Sequence, residues 1–150
     1  MPRLQESLPM VLNRALDGVM PSYRLLFARY DLTEQQWRIL RALWEVTDIR
    51  SADLAEQTLL PKPSLVGILD RLEARGLVVR KRSTTDRRAV CVAATAQGRA
   101  LSQEVLPQAQ AIHNHIRQLL PEGEWAALEA TLDRLAERIK TTDQPDIAAE

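Results

Sequence analysis

The hydrophobic period of the chain changes abruptly at Gly76, and no other feature constrains the fold as strongly. Over residues 62–75, leucine and isoleucine recur at intervals of three and four, which predicts an amphipathic helix that ends at the glycine. Beyond it, two runs rich in β-branched residues, 77–81 and 89–93, flank the polar segment 83–88. This pattern predicts two short strands joined by a projecting tip.

The first 50 residues carry two predicted helices. Apolar spacing predicts one from about Leu8 to about Tyr30, with a kink at Pro21 because proline removes a helix hydrogen bond. The segment Thr33–Gln36 has the sequence of a capping box and predicts the start of the second helix. The apolar residues of that helix that we expect to be buried are Trp37, Leu40, Leu43 and Trp44.

A short third helix completes the pattern. Ser51 is predicted to cap a helix over 52–58, and a turn at 59–61 leads into the helix at 62–75. Short helix, turn, second helix and hairpin in this order are typical of a winged helix-turn-helix. The expected fold is therefore mainly α with a small β-hairpin wing.

Two more helices are predicted after the hairpin. Thr95 caps a fifth helix, bent at Pro107, that runs to about Leu120, and Pro121 opens a sixth. Residues 141–150 have little to bury and are predicted to form a flexible tail. The sixth helix carries a short heptad seam that favours contact with another helix. Its members are Trp125, Leu128, Leu132, Leu135 and Ile139.

Charge is distributed unevenly along a chain whose net charge is zero. Residues 62–88 hold eight Lys/Arg and three Asp/Glu, a net of +5, whereas 89–150 hold five and nine, a net of −4. A basic middle segment can direct positive potential at a polyanion. A solvated charged face has the same composition, so composition alone leaves both interpretations open.

The helix at 62–75 is suited to reading DNA. With its leucines and isoleucine turned inward, the opposite face can enter the major groove, where small residues allow close approach and cations reach phosphate or guanine. Arg87 and Arg88, near the hairpin tip, suit the negative potential of a narrow minor groove, and Asp86 can orient them. The outward residues of the helix are Lys62, Ser64, Gly67 and Arg71.

Other classes of protein find little support in the sequence. A single cysteine, Cys91, excludes an internal disulfide and favours a reducing, cytoplasmic location; between valines it is expected to be a buried small hydrophobe. His113 and His115 are two residues apart on a helix and point apart, so we expect no metal. No catalytic or cofactor motif and no membrane segment is found, so we expect neither an enzyme nor a cofactor.

Four short segments give a more specific indication. They are Asp53-Leu-Ala55, Arg71-Leu-Glu-Ala-Arg-Gly-Leu-Val-Val-Arg80, Asp86-Arg-Arg88 and Thr95-Ala-Gln-Gly98. In order and spacing they resemble the MarR family, and the resemblance covers essentially the whole chain. Segments 32–38 and 63–69 resemble the branch of that family that regulates homoprotocatechuate (4-hydroxyphenylacetate) degradation. Ala94 departs from the bulky aliphatic residue usual in the family.

The resemblance implies one domain over 1–150, with the winged helix-turn-helix at 32–94 and dimerisation helices at 1–31 and 95–140. It implies a homodimeric repressor on a palindromic operator, released by a small phenolic or aromatic acid. By position, Ser64, Leu65 and Gly67 lie at the groove, and Asp86 and Arg88 belong to the wing motif. Candidate ligand residues are Arg14, Ser22, Tyr23, Trp37 and Arg38.

Alternatives remain open at this stage. Core packing explains Trp37 as well as a ligand role does, and a solvated or phosphate-contacting side chain explains Arg38 equally well. A winged helix can also serve as a protein-interaction module without DNA, because a fold does not determine a function. A small enzyme that turns over an aromatic acid is the third possibility.

Overall fold

The computed structural model describes residues 3–82 and 89–142. Within them the chain is mainly helical, with one small antiparallel sheet, and the predicted winged helix-turn-helix is confirmed. The elements are a 3-10 turn at Leu4–Glu6, α1 (Leu8–Arg29), α2 (Glu34–Glu45), β1 (Ile49–Arg50), α3 (Ser51–Thr58), α4 (Lys62–Ala74), β2 (Val78–Arg82), β3 (Val90–Ala94), α5 (Ala96–Arg117) and α6 (Glu122–Thr141).

The chain divides into two compact units, Met1–Gln110 and Ala111–Glu150. The first contains α1 to α4, the sheet and most of α5; the second contains the end of α5 and all of α6. The predicted single domain, with its boundaries at 32–94 and 95–140, stays a prediction. Pro21 lies inside α1 and Pro107 inside α5, and each helix is continuous through its proline.

Helix α2 supplies the centre of the core in the first unit. Its capping box is confirmed: Thr33 Oγ1 accepts a hydrogen bond from the Gln36 backbone N–H at 3.1 Å, and Gln36 Oε1 accepts one from Thr33 at 2.9 Å. Leu40 and Leu43 are buried as predicted, but Trp37 and Trp44 are only half-buried. The inward face follows residues 36, 39, 40 and 43, and both tryptophans lie at its edge.

The sheet has three strands in the order β1-β3-β2, one more than the hairpin predicts. Strands β2 and β3 pair from Val78↔Ala94 to Arg82↔Val90, one residue later than expected. The predicted cap by Ser51 is wrong, because α3 begins at Ser51 itself. Its hydroxyl donates instead to the carbonyl oxygen of Val90 at 3.1 Å, which ties α3 to the sheet.

A tight junction joins the end of α4, the root of the hairpin and the start of α5. Gly76 has a φ of 69°, the left-handed conformation that ends the helix as predicted. Thr95 Oγ1 donates to the Gly76 carbonyl oxygen at 2.5 Å and accepts from the Gly98 N–H at 3.0 Å, which confirms the predicted cap. A Cβ on Gly98 would lie 2.1 Å from the carbonyl oxygen of Leu77, so only glycine allows this approach.

In the second unit, α5 ends at Arg117, before the predicted Leu120, and Pro121 precedes α6 as predicted. The His113 and Trp125 rings meet edge to face with centroids 6.1 Å apart. No described residue of α6 is buried within one chain. Of its predicted seam, Trp125 and Leu135 are half-buried, and the exposed members are Leu128, Leu132 and Ile139.

Candidate nucleic-acid interface

Helix α4 separates a buried apolar face from an exposed polar one. Leu65, Ile68, Leu69 and Leu72 face the core, as their spacing predicts. The opposite face leaves space for another molecule, since a Cβ added to Gly67 would meet nothing within 4 Å. The predicted outward residues are all exposed: Lys62, Ser64, Gly67 and Arg71.

One residue assigned to this surface by resemblance does not lie on it. Leu65 is 3% exposed and packs in the core, whereas a side chain that contacts DNA must be on the outer face. Its neighbour Val66, which the sequence interpretation did not select, is 55% exposed. The spacing of the buried residues places position 66 on the outer face. For these two positions the helical periodicity therefore predicts exposure correctly, and the resemblance does not.

Arg80 on β2 binds two carboxylates of α4. Its Nη2 lies 2.6 Å from Asp70 Oδ1 and 2.6 Å from Glu73 Oε2, and its backbone N–H donates to Glu73 Oε1 at 3.0 Å. Hydrogen bonds from the Arg80 side chain and backbone lower the pKa of Glu73. The same side-chain bonds, first to Glu73 and then to Asp70, raise the pKa of Arg80. Helix α4 and strand β2 of the wing are therefore joined by a charged clamp, formed by Asp70, Glu73 and Arg80.

The remaining cations of this region divide into structural and exposed groups. Arg75 is structural, because it donates to the carbonyl oxygens of Asp31 and Tyr30 at 2.5 and 3.0 Å. Four others, on the adjoining elements α4 and β2, are exposed and form no ion pair with another described residue; they are Lys62, Arg71, Lys81 and Arg82. The predicted wing residues Asp86, Arg87 and Arg88 lie outside the described residues.

An aromatic cluster links two of the five candidate ligand residues. The Phe27 ring stacks on Trp37, with centroids 4.8 Å apart, and lies 6.0 Å from the Tyr23 ring. Trp44 meets Trp37 edge to face at 5.6 Å. Tyr23 and Trp37 are half-buried, and burial raises the pKa of Tyr23. The other three candidates, all exposed, are Arg14, Ser22 and Arg38.

Cys91 was expected to be a buried small hydrophobe, but it is half-buried. It lies in β3 next to the fully buried Val92, and successive side chains of a strand point to opposite faces. Its cross-strand partners are Lys81 and Arg50. Over residues 3–82 and 89–142, no cluster of three metal-ligating side chains occurs, and no helix is long and apolar enough to cross a membrane.

A helix with small and cationic residues on its outer face, followed directly by a hairpin, is the arrangement of winged-helix DNA-binding proteins. The model of the MarR family matches residues 30–89. The homoprotocatechuate degradative operon repressor of Escherichia coli is 36% identical over 113 residues, which are 75% of this chain and 76% of the repressor. The chain belongs to the MarR family of transcriptional regulators.

Two solved structures are similar in both fold and sequence. NadR in complex with 4-hydroxyphenylacetate is 35% identical, with a TM-score of 0.78 over 91% of this chain and 98% of that one. The transcriptional repressor CouR, bound to a 23-mer DNA duplex, is 30% identical, with a TM-score of 0.78 over 89% of this chain and 94% of that one. These neighbours include one bound to an aromatic acid and one bound to DNA.

Proposed function

We propose that the protein is a homodimeric repressor of aromatic-acid catabolism genes that a small phenolic or aromatic acid releases from a palindromic operator. The observation that carries this proposal is the outer face of α4, where small residues and uncompensated cations lie beside the basic strand β2. Its DNA-binding residues are Lys62, Ser64, Gly67 and Arg71, joined by Asp86, Arg87 and Arg88 of the wing. The protein then acts on DNA in the cytoplasm and needs no cofactor.

Operator binding is supported by the presence of two kinds of cation, one held by partners within the chain and one exposed. Because Arg75 and Arg80 are held by intramolecular partners, they fix the position of α4 against its surroundings. Lys62 and Arg71 are left to meet phosphates or guanine edges, and Gly67 lets the helix backbone approach the groove. The proposal takes CouR on its DNA duplex as the precedent for such a complex.

Dimerisation is supported by exposed apolar side chains in both units. On α1 they include Leu8, Val11 and Leu16, and on α6 they include Leu132 and Ile139. Several large apolar side chains on one helix mark an interaction surface rather than ordinary exposure. A symmetric pair of chains covers the same surface on each partner and matches a palindromic site.

Effector binding is supported by the aromatic cluster of the first unit. A phenolic ring can stack on Trp37 or Tyr23, and Arg14 or Arg38 can bind its carboxylate through paired hydrogen bonds. Ser22 supplies a hydroxyl on the same helix as Tyr23. Relatives named for homoprotocatechuate degradation and for a 4-hydroxyphenylacetate complex indicate the ligand class.

DNA binding is tested by selecting duplexes from a random-sequence library and measuring affinity against salt concentration. We expect a palindromic consensus, and we expect Lys62→Ala to lower the log–log salt slope by about one, because one phosphate contact is lost. Lys140→Ala is the control, since Lys140 pairs with Glu137 on α6. Failure to select any sequence would overturn the repressor in favour of an interaction module.

The effector is tested by thermal unfolding with 4-hydroxyphenylacetate. At ~100 times its dissociation constant, a ligand that binds only the native state adds about 2.7 kcal/mol of stability. The matched control is 4-hydroxyphenylethanol, which has the ring and lacks the carboxylate. We expect stabilisation and release of the selected DNA with the acid only. Turnover of the acid would support an enzyme instead.

A further inference from the structure

Val66 is an apolar residue of α4 whose position the fold does not explain. The other large apolar residues of the helix, Leu65, Ile68, Leu69 and Leu72, are buried, whereas Val66 is 55% exposed. Valine at an exposed helical position gains little burial, and its branched Cβ makes it a poorer helix former than most residues. A contact with another molecule would bury this side chain, which folding leaves exposed.

The surroundings of Val66 are open and cationic. Lys62 lies one helical turn before it on the same side of α4, and Gly67 follows it with nothing near its missing Cβ. The Val66 methyl groups therefore stand beside a bare stretch of helix. A flat edge, such as that of a base pair, can reach them without displacing a neighbouring side chain.

Asp70, one turn after Val66, is the acidic residue that could oppose an approaching polyanion. Its carboxylate lies 2.6 Å from Arg80 Nη2, which holds it in place, but the same guanidinium also binds Glu73, so the three groups together keep one net negative charge. The row formed by Lys62, Val66 and Asp70 therefore runs from a free cation, through an apolar side chain, to a carboxylate held by Arg80. Because Arg71, Lys81 and Arg82 also form no ion pair with a described residue, the surface keeps a net positive charge, which fits DNA better than it fits an apolar protein surface.

In the major groove the 5-methyl group of thymine is the apolar feature that distinguishes one base from another. We propose that Val66 contacts a thymine 5-methyl group and thereby determines part of the operator sequence. This assignment rests on the proposed binding of DNA by α4. It makes Val66 a specificity-determining residue, while Lys62 supplies affinity that is independent of sequence.

The test uses DNA selected by the wild-type protein, with each thymine of the half-site replaced in turn by uracil. Uracil keeps every hydrogen bond of the pair and lacks only the methyl group. We expect one thymine per half-site at which the wild type loses about fourfold in affinity, the loss for one buried methyl group. Val66→Ala should bind the thymine and uracil duplexes equally.

Leu25→Ala is the control, because it shortens another exposed apolar side chain, on α1. It should retain the wild-type preference for thymine. The proposal is overturned if no thymine shows a methyl effect that Val66→Ala removes. Failure of the wild type to select any DNA would instead refute the repressor function itself, so the two failures are distinguishable. Alanine is a better helix former than valine, and a circular dichroism melt checks that the variant is folded.

Discussion

Glu73, in the last turn of α4, accepts hydrogen bonds from both the backbone and the side chain of Arg80 in strand β2. The three bonds measure 3.0 Å from the backbone nitrogen, 3.0 Å from Nε and 2.6 Å from Nη2. These bonds join the last turn of α4 to strand β2 of the wing. A ligand that moved one of these elements would have to carry the other with it, or break the clamp.

The clamp predicts a specific dependence of stability on pH. Folding lowers the pKa of Glu73 below its ordinary 4.5, so its contribution to stability is complete above that pH and is lost as pH falls through the folded-state pKa. We expect Glu73→Gln to be less stable than wild type near neutral pH by up to about 1 kcal/mol, because the pair is partly exposed. The gap should close as the pH falls below 4.5 and through the lowered pKa of Glu73, which urea titrations at a series of pH values would measure.

Glu56→Gln on α3 is the control for this measurement, because it removes the same charge from a residue outside the ion pairs of the described chain. It should change the free energy of unfolding little at any pH. A Glu73→Gln deficit that stayed constant from neutral to acid pH would contradict the role of the carboxylate charge.

Two tryptophans allow the value of one hydrogen bond to be measured. Trp44 Nε1 donates to the carbonyl oxygen of Gly98 at 2.9 Å, whereas the buried Trp125 Nε1 has no hydrogen-bond partner among the described residues. Trp44→Phe should lower the free energy of unfolding by about 1 kcal/mol more than Trp125→Phe does. Both substitutions remove the same atoms, so chemical denaturation compares a tryptophan that makes this bond with one that does not. Equal losses in the free energy of unfolding would contradict a stabilising contribution from the hydrogen bond between Trp44 and Gly98.

Gly67→Ala should separate stability from DNA binding. A Cβ at this position meets nothing, so alanine should stabilise α4 by about 0.5–1 kcal/mol. The same methyl group would stand between the helix and the groove, and we expect DNA affinity to fall about tenfold, which is about 1.4 kcal/mol. Gly123→Ala, equally open on α6, should stabilise without weakening DNA binding. Unchanged affinity of Gly67→Ala would place α4 away from the bases.

The seam of α6 predicts the assembly state. Leu132 is 38% exposed in the single chain, and Leu132→Asp would place a carboxylate in the proposed dimer interface. We expect its dimer dissociation constant to rise about 100-fold or more, which light scattering would detect as a loss of mass at low concentration. Ala130→Asp puts the same charge on another side of the helix and should leave the dimer intact. A folded Leu132→Asp dimer of unchanged affinity would refute the interface.

Much of the fold could be predicted because its elements carry their own local signals. The capping box at Thr33, the glycine at 76 and the threonine at 95 each mark an end that the structure confirms. Strand β1 carries no such signal, since two residues form a strand only because β3 lies beside them. Ser51 looked like a helix cap for the same reason, because its true acceptor, Val90, is distant in sequence.

The candidate site was predicted less completely. The spacing of the buried residues placed Lys62 and Arg71 on the outer face. It could not reveal that Arg80 on β2 is held by two carboxylates of α4. The resemblance assigns Leu65 to the DNA-binding surface and leaves Val66 out. The helical period gives the opposite and correct assignment, with Leu65 inside and Val66 outside. Trp37 lies at the edge of the inward face of α2, and its half-burial also depends on Phe27 of α1, which the sequence does not place.

Strand β3 is bonded along both edges, to β1 on one side and to β2 on the other. Its register is therefore held from both sides and by the bond from Ser51 to Val90. A slip of β3 by one residue would have to break both ladders at once and would turn the buried Val92 towards the other face of the sheet. Substitutions on the exposed side of the sheet can therefore change its surface without changing which residues are paired.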